Sequence, residues 1–127
     1  MKIKTYFMTK NFLILMSGGT TPVINSTLVG IIEKIKKKSS KIKIFSGEPG
    51  INGVLKNRFI DLTKITKSKL KVISKIPGSH IVGTTRLKKL NNREINLLKK
   101  NLIKKKIDNI INIGGNGTLQ QTIDLSN

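Results

Sequence analysis

The chain has 127 residues, no cysteine, and 25 Lys and Arg residues against 6 Asp and Glu, a formal net charge of +19 at pH 7. This length suits one domain with a modest core. The lack of cysteine excludes disulfides and thiolate metal sites, and the single histidine, His80, excludes a histidine cluster.

The positive charge by itself is typical of proteins that bind nucleic acid. However, the chain is rich in Lys, Ile and Asn, has three Arg and no Ala, and spreads its charges along its length. A coding sequence biased toward A and T produces this mixture in any fold. We therefore favour compositional drift and do not expect nucleic acid as a partner.

No segment approaches the roughly 18 apolar residues of a membrane helix. The apolar run Phe12–Met16 is also shorter than the core of a signal peptide. We therefore expect a cytoplasmic protein without a membrane partner, in which residues 1–10 form a disordered extension.

Residues 12–38 predict a strand, a glycine turn and a helix. Residues 12–16 are wholly apolar and run into Ser17-Gly18-Gly19, as in a strand buried on both faces. Thr21-Pro22 is a good helix start. The apolar stripe that follows has helical spacing, and its members are Ile24, Leu28, Ile31, Ile32 and Ile35. The lysines at 36–38 suit the helix end.

Further elements follow in order. We predict a strand over 41–45 closed by Gly47, a loop over 47–53, a hairpin or extended arm over 54–62, a helix over 66–75 and a loop over 77–86. Asn91 and Glu94 resemble a capping box, and the helix it starts has an apolar stripe of Ile95, Leu98 and Leu102. An apolar strand over 108–113 ends at a second glycine turn. The alternation predicts an α/β fold, a doubly wound, Rossmann-like parallel sheet.

Both glycine turns, S-G-G at 17–19 and G-G-N-G-T at 114–118, follow apolar strands and precede helices. In an open parallel sheet such turns lie together at the carboxyl edge, where ligands bind. Glycine allows the backbone to approach a phosphate, and a helix N-terminus offers free N–H groups. The pattern predicts a shared polyphosphate site, although such turns can also simply connect strands to helices.

Three blocks in order resemble the phosphofructokinase family: ILMSGGTTPVIN, GSHIVGTTR and INIGGNGT. The resemblance implies phosphoryl transfer from ATP or pyrophosphate to the 1-hydroxyl of fructose 6-phosphate, in glycolysis, with Mg²⁺ bridging the phosphates. It implies that Arg86 neutralises the donor phosphates and that the glycine turns cradle them. The implied donor-binding residues are Gly18, Gly19, Arg86, Gly115, Gly117 and Thr118.

The chain departs from the family pattern at Asn116, where the family has a Mg²⁺-binding Asp. An amide keeps an oxygen ligand but loses the charge, so we expect weaker metal binding. Gly117 favours ATP as the donor, whereas Glu48, Leu87 and Gln121 differ from the ATP-binding pattern. The donor therefore stays open.

The family's catalytic T-I-D-x-D segment has no counterpart, so we assign no catalytic residue. Thr122-Ile123-Asp124 comes too soon after the second turn and lacks the second Asp. We interpret residues 1–127 as one partial domain, the N-terminal donor-binding region of such an enzyme, inactive alone. Fructose 6-phosphate and homo-oligomers are expected only of the full-length enzyme. The alternatives are an inactive relic that binds nucleotide or a partner chain and, less favoured, a basic nucleic-acid-binding domain.

Overall fold

A computed structural model of the chain describes residues 11–18, 22–76, 82–85 and 89–115. These residues form four strands and four helices, arranged along the chain as β1 (Asn11–Met16), α1 (Pro22–Lys38), β2 (Ile44–Gly47), α2 (Gly50–Leu55), β3 (Phe59–Asp61), α3 (Lys67–Ile73), α4 (Asn92–Lys104) and β4 (Ile107–Ile113). The predicted disordered extension over 1–10 lies outside the described residues.

The strands form one sheet in the order β3-β2-β1-β4. β1 pairs in parallel with both β2 and β4. β3 pairs antiparallel with β2, with Ser46 opposite Ile60. The α/β prediction is confirmed, and the sheet is mixed because β3, within the predicted hairpin or arm over 54–62, runs antiparallel to β2. The first two residues of that predicted arm, Val54 and Leu55, instead belong to α2.

Both faces of the sheet are covered, because successive side chains of a strand point to opposite faces. Ile14 and Met16 belong to one core, which also includes the buried side chains of α1 and α3. Leu13 and Leu15 belong to a second core with α2 and with Leu98 of α4. Helices on both faces explain why β1 is apolar at every position over 12–16.

The apolar stripe predicted for α1 faces the first core. Ile24, Leu28, Ile32 and Ile35 are buried, and Ile31 packs against the same cluster. Burying each such side chain contributes about 1.5–3 kcal/mol. The helix begins at Pro22 and has three lysines in its last turn, as predicted.

The capping box that starts α4 is also confirmed. The backbone N–H of Glu94 donates to Asn91 Oδ1 at 2.8 Å, and the backbone N–H of Asn91 donates to Glu94 Oε2 at 3.0 Å. These bonds satisfy two donors that a helix start otherwise leaves without partners.

β2 begins at Ile44, three residues later than predicted. The side chain of Asn11 occupies this end of the sheet: its Oδ1 accepts from the backbone N–H of Lys43 at 3.3 Å. Its Nδ2 donates to the carbonyl of Lys105 at 3.2 Å. A side-chain amide therefore joins the entries to β2 and β4 where ladder pairing stops.

The prediction of a loop over 47–53 is wrong for its second half, which is the helix α2. Tertiary packing supports this short helix despite its two glycines, which disfavour helix locally. An ideal Cβ at Gly53 would lie 2.1 Å from the backbone nitrogen of Glu48, so only glycine fits. Asn101 Nδ2 donates to the carbonyls of Val54 and Leu55 at 2.8 and 3.2 Å.

Within the described residues, no helix is long and apolar enough to cross a membrane.

Candidate functional site

The two glycine turns begin side by side. β1 and β4 are parallel neighbours with Met16 opposite Ile113, and each strand leads directly into its turn. Gly18 and Gly115 therefore lie at the same edge of the sheet. The prediction that the two turns share an edge is confirmed for these two residues.

This edge includes a point where the strand order reverses. From β1 the chain proceeds to β2 on one side, whereas β4 pairs on the other side. The crevice outside the carboxyl ends of two such strands is where open α/β sheets bind ligands. The turns that contain Gly18 and Gly115 both border it.

Ser17 is the residue at which the three sequence blocks meet. Its backbone N–H donates to the carbonyl of Ile113 at 3.0 Å. It also forms a parallel bridge with Thr85, the residue before Arg86. Ser17 and Thr85 are both buried. The segments that lead into Gly18, Arg86 and Gly115 thus adjoin one another, although they are far apart in sequence.

Gly18 and Gly115 both have free space around the position that a side chain would take. An ideal Cβ at either residue would meet no heavy atom of the described chain within 4 Å. Gly18 has a φ of +90°, which disfavours other residues; Gly115 has no such constraint. Packing within the described chain therefore does not require glycine at position 115. Close approach of a ligand to the backbone would be a reason for glycine there.

The other predicted site residues, which are Gly19, Arg86, Asn116, Gly117 and Thr118, lie outside the described residues. Their contacts with a donor stay predictions, as do those of Gly18 and Gly115. Sequence reasoning missed Ser17 and Thr85 as the contact between the blocks. The available signal was their position directly before a predicted phosphate-binding residue.

The described residues offer little to a metal ion. They contain no group of three or more His, Asp or Glu side chains that could hold one. Glu48 is exposed and directly follows β2, so its carboxylate lies at this edge of the sheet. Mg²⁺ commonly uses one or two carboxylates and the phosphates of a substrate. The predicted Mg²⁺ ligand, Asn116, lies outside the described residues, so metal binding stays a prediction.

One carboxyl group away from this edge has a shifted pKa. Partial burial raises the pKa of Asp61, but hydrogen bonds from Thr63 and the charges of Lys43 and Lys64 outweigh it and hold the pKa below its usual value. The backbone N–H of Thr63 donates to Asp61 Oδ1 at 2.8 Å. Asp61 therefore stays ionised at neutral pH and stabilises the end of β3.

A cavity of about 480 Å³ lies elsewhere, between the second half of α1 and α3. It is lined by Glu33, Lys36, Lys37, Ile65, Lys67 and Leu70. Glu33 is about 16 Å along α1 from Pro22, at 1.5 Å per residue. This cavity is thus separate from the glycine turns and contributes nothing to that edge.

The structure is that of an α/β protein in which two glycine-containing turns follow the carboxyl ends of neighbouring parallel strands. The family profile described as Phosphofructokinase matches residues 11–127. The chain belongs to the phosphofructokinase family.

Relatives that use either donor are similar to this chain. A probable ATP-dependent 6-phosphofructokinase of Ureaplasma parvum is 32% identical over 119 residues, which cover 92% of this chain and 36% of that protein. A pyrophosphate–fructose 6-phosphate 1-phosphotransferase of Xanthomonas campestris is 35% identical over 68 residues, 54% of this chain and 16% of that protein. The chain thus spans about a third or less of these relatives.

Solved structures agree with this assignment. The crystal structure of a pyrophosphate-dependent phosphofructokinase from Nitrosospira multiformis superposes with a TM-score of 0.85 at 30% identity. The match covers 93% of this chain and 29% of that one. The order of strands and helices described above is therefore that of one part of a larger phosphofructokinase fold.

Proposed function

We propose that this chain forms the donor-binding part of a phosphofructokinase, which holds the phosphates of ATP or pyrophosphate for transfer to fructose 6-phosphate. The observation that carries the proposal is the meeting of the three sequence blocks at Ser17. Family membership supports this proposal, and with it we propose a magnesium-dependent phosphoryl transfer in glycolysis and a cytoplasmic location. The predicted donor-binding residues border this junction or follow it in sequence.

The chemistry of such a site is positioning and charge neutralisation. Backbone N–H groups of the glycine turns and of the start of α1 would donate to phosphate oxygens, an arrangement that helix N-termini favour. Arg86 would add the forked, charged donors that suit phosphate. Bound Mg²⁺ would offset further phosphate charge. These groups serve the phosphates that both donors share.

A glycine substitution tests the proposal without adding a steric contact to the residues that the structure describes. Gly115→Ala places a methyl group where the described chain has no atom within 4 Å, so stability should stay within about 0.5 kcal/mol. If donor phosphates approach the Gly115 backbone, affinity should fall by about tenfold or more, since hydrogen bonds to charged groups contribute about 1.5–3 kcal/mol. Isothermal titration calorimetry with pyrophosphate and with Mg·ATP measures the loss and shows which donor binds.

The matched control is Gly30→Ala. Gly30 is also exposed, also has no atom within 4 Å of an added Cβ, and lies within α1. It should leave both affinities unchanged. Lack of binding by the parent chain, or equal affinities for the parent and Gly115→Ala, would refute the proposed site.

We propose further that the 127 residues bind the donor without completing the reaction. They contain no counterpart of the family's T-I-D-x-D segment, so the sugar hydroxyl has no proton acceptor. A coupled assay for fructose 1,6-bisphosphate should give no rate above the blank with either donor. A donor-dependent rate would show that another group in this chain serves as the base.

A further inference from the structure

The segment over 82–85, which directly precedes Arg86 in the sequence, packs against the start of α2. Thr85 is 8% exposed and Val82 is fully buried. The bridge to Ser17 fixes the backbone of Thr85 on one side. Its side chain contacts a residue from a third part of the chain, Gly50.

Gly50 is shaped to accept Thr85. An ideal Cβ at Gly50 would lie 2.8 Å from Thr85 Oγ1, 3.4 Å from Thr85 Cγ2 and 3.1 Å from the carbonyl oxygen of Met16. Any side chain at 50 would therefore press Thr85 away from the end of β1. A threonine side chain is stiff at χ1, so the backbone over 82–85 would have to move with it.

A second glycine contact lies beside the first. Gly83 has a φ of +65°, and an ideal Cβ there would lie 2.7 Å from Pro49 Cβ. Gly83 thus packs against Pro49, and Thr85 packs against Gly50. In each of these two contacts, a glycine leaves the space that the other residue needs. The fit is steric, and it fixes the segment's distance from Ser17.

We propose that Gly50 and Thr85 are positioning residues for the donor-phosphate site. Their contact sets the position of Thr85, which forms a bridge with Ser17 and directly precedes Arg86 in the sequence, so α2 contributes to donor affinity without touching the donor. This inference rests on the proposed donor-binding function. It assigns a role to the segment over 47–53, which the glycine turns alone do not explain.

The test is a double-mutant cycle between the two residues, measured as pyrophosphate affinity of the full 127-residue chain. Gly50→Ala should weaken binding on the order of tenfold, because displacements near 1 Å have large effects at organised sites. Thr85→Ala removes both side-chain atoms that the new methyl group meets. The double variant should therefore bind more tightly than the product of the two single effects allows.

Gly50 has a φ of +43°, which disfavours alanine whatever space is available. Thr85→Ile is therefore a second variant, because it crowds the same contact from the side of Thr85 and leaves Gly50 unchanged. It should weaken pyrophosphate binding as Gly50→Ala does. Ile73→Val controls for stability: Ile73 is buried in the α1–α3 core, and its loss of a methylene should destabilise the fold without changing affinity. All affinities are measured at a temperature at which unfolding curves show each variant folded.

The outcomes separate the two proposals. If the parent binds pyrophosphate and the effects at 50 and 85 multiply independently, the positioning role is wrong and the donor site stands. If Ile73→Val weakens binding as much as Gly50→Ala, the effect is general stability and the positioning role is again wrong. If the parent does not bind pyrophosphate, the donor site itself is refuted, and the positioning role with it.

Discussion

Asn101 links α4 to the end of α2, and its substitution should destabilise the chain in a pH-dependent way. The side chain is 6% exposed, and its Nδ2 donates to the carbonyls of Val54 and Leu55 at 2.8 and 3.2 Å. Each net hydrogen bond contributes about 0.5–1.5 kcal/mol. Asn101→Ala should therefore reduce the free energy of unfolding by about 1–3 kcal/mol, a large part of the roughly 5–15 kcal/mol of a small domain.

Asn101→Asp should reduce the free energy of unfolding more than Asn101→Ala does at pH 7. An ionised carboxylate cannot donate and would face two carbonyl oxygens in a buried position, so its pKa in the folded state should rise above that in the unfolded chain. The protonated acid can donate again. The deficit should thus shrink as the pH falls from 7 toward 5, since the folded state then binds more protons than the unfolded state.

The assay is urea unfolding at pH 7 and pH 5, followed by circular dichroism. Asn96→Asp is the control, because Asn96 lies on the same helix and is exposed; its effect should stay within about 0.5 kcal/mol at both pH values. If Asn101→Asp is no less stable than Asn101→Ala at pH 7, or its deficit does not change with pH, the two hydrogen bonds do not carry the stabilisation assigned to them.

Three further outcomes are expected. Asn116→Asp should tighten Mg·ATP binding by roughly tenfold, because a restored carboxylate near 4 Å contributes on the order of 1–4 kcal/mol; unchanged calorimetric titrations would favour a plain turn residue. The lowered pKa of Asp61 gives stability that is present above the unfolded value of about 3.9 and lost as the pH falls through the folded value. The free energy of unfolding of Asp61→Asn should therefore be lower than that of the parent at neutral pH and should fall less steeply as the pH is lowered. Identical acid-unfolding curves for the two proteins would contradict this. Asn91→Ala should cost about 1 kcal/mol in urea unfolding, whereas its exposed neighbour Asn92→Ala should cost less; equal losses would argue against the cap.

The local elements followed from the sequence because their causes lie within a few residues. The apolar stripe of α1, the lysines at its end and the capping box of Asn91 are all set by neighbours three or four positions away. The wholly apolar run over 12–16 similarly indicated a strand covered on both faces. Two glycine turns after two such strands were enough to predict a shared edge, because carboxyl ends of parallel strands meet there.

The helix α2 and the contact between Gly50 and Thr85 depend on residues that are far apart in the sequence. Gly50 and Gly53 disfavour a helix locally. The helix forms because Gly50 packs against Thr85 and because Asn101 donates to the last carbonyls of the helix. The partners are separated by 35 residues between 50 and 85 and by 46 or 47 between Asn101 and those carbonyls. No short sequence window contains both members of such a pair, so only the tertiary structure decided them.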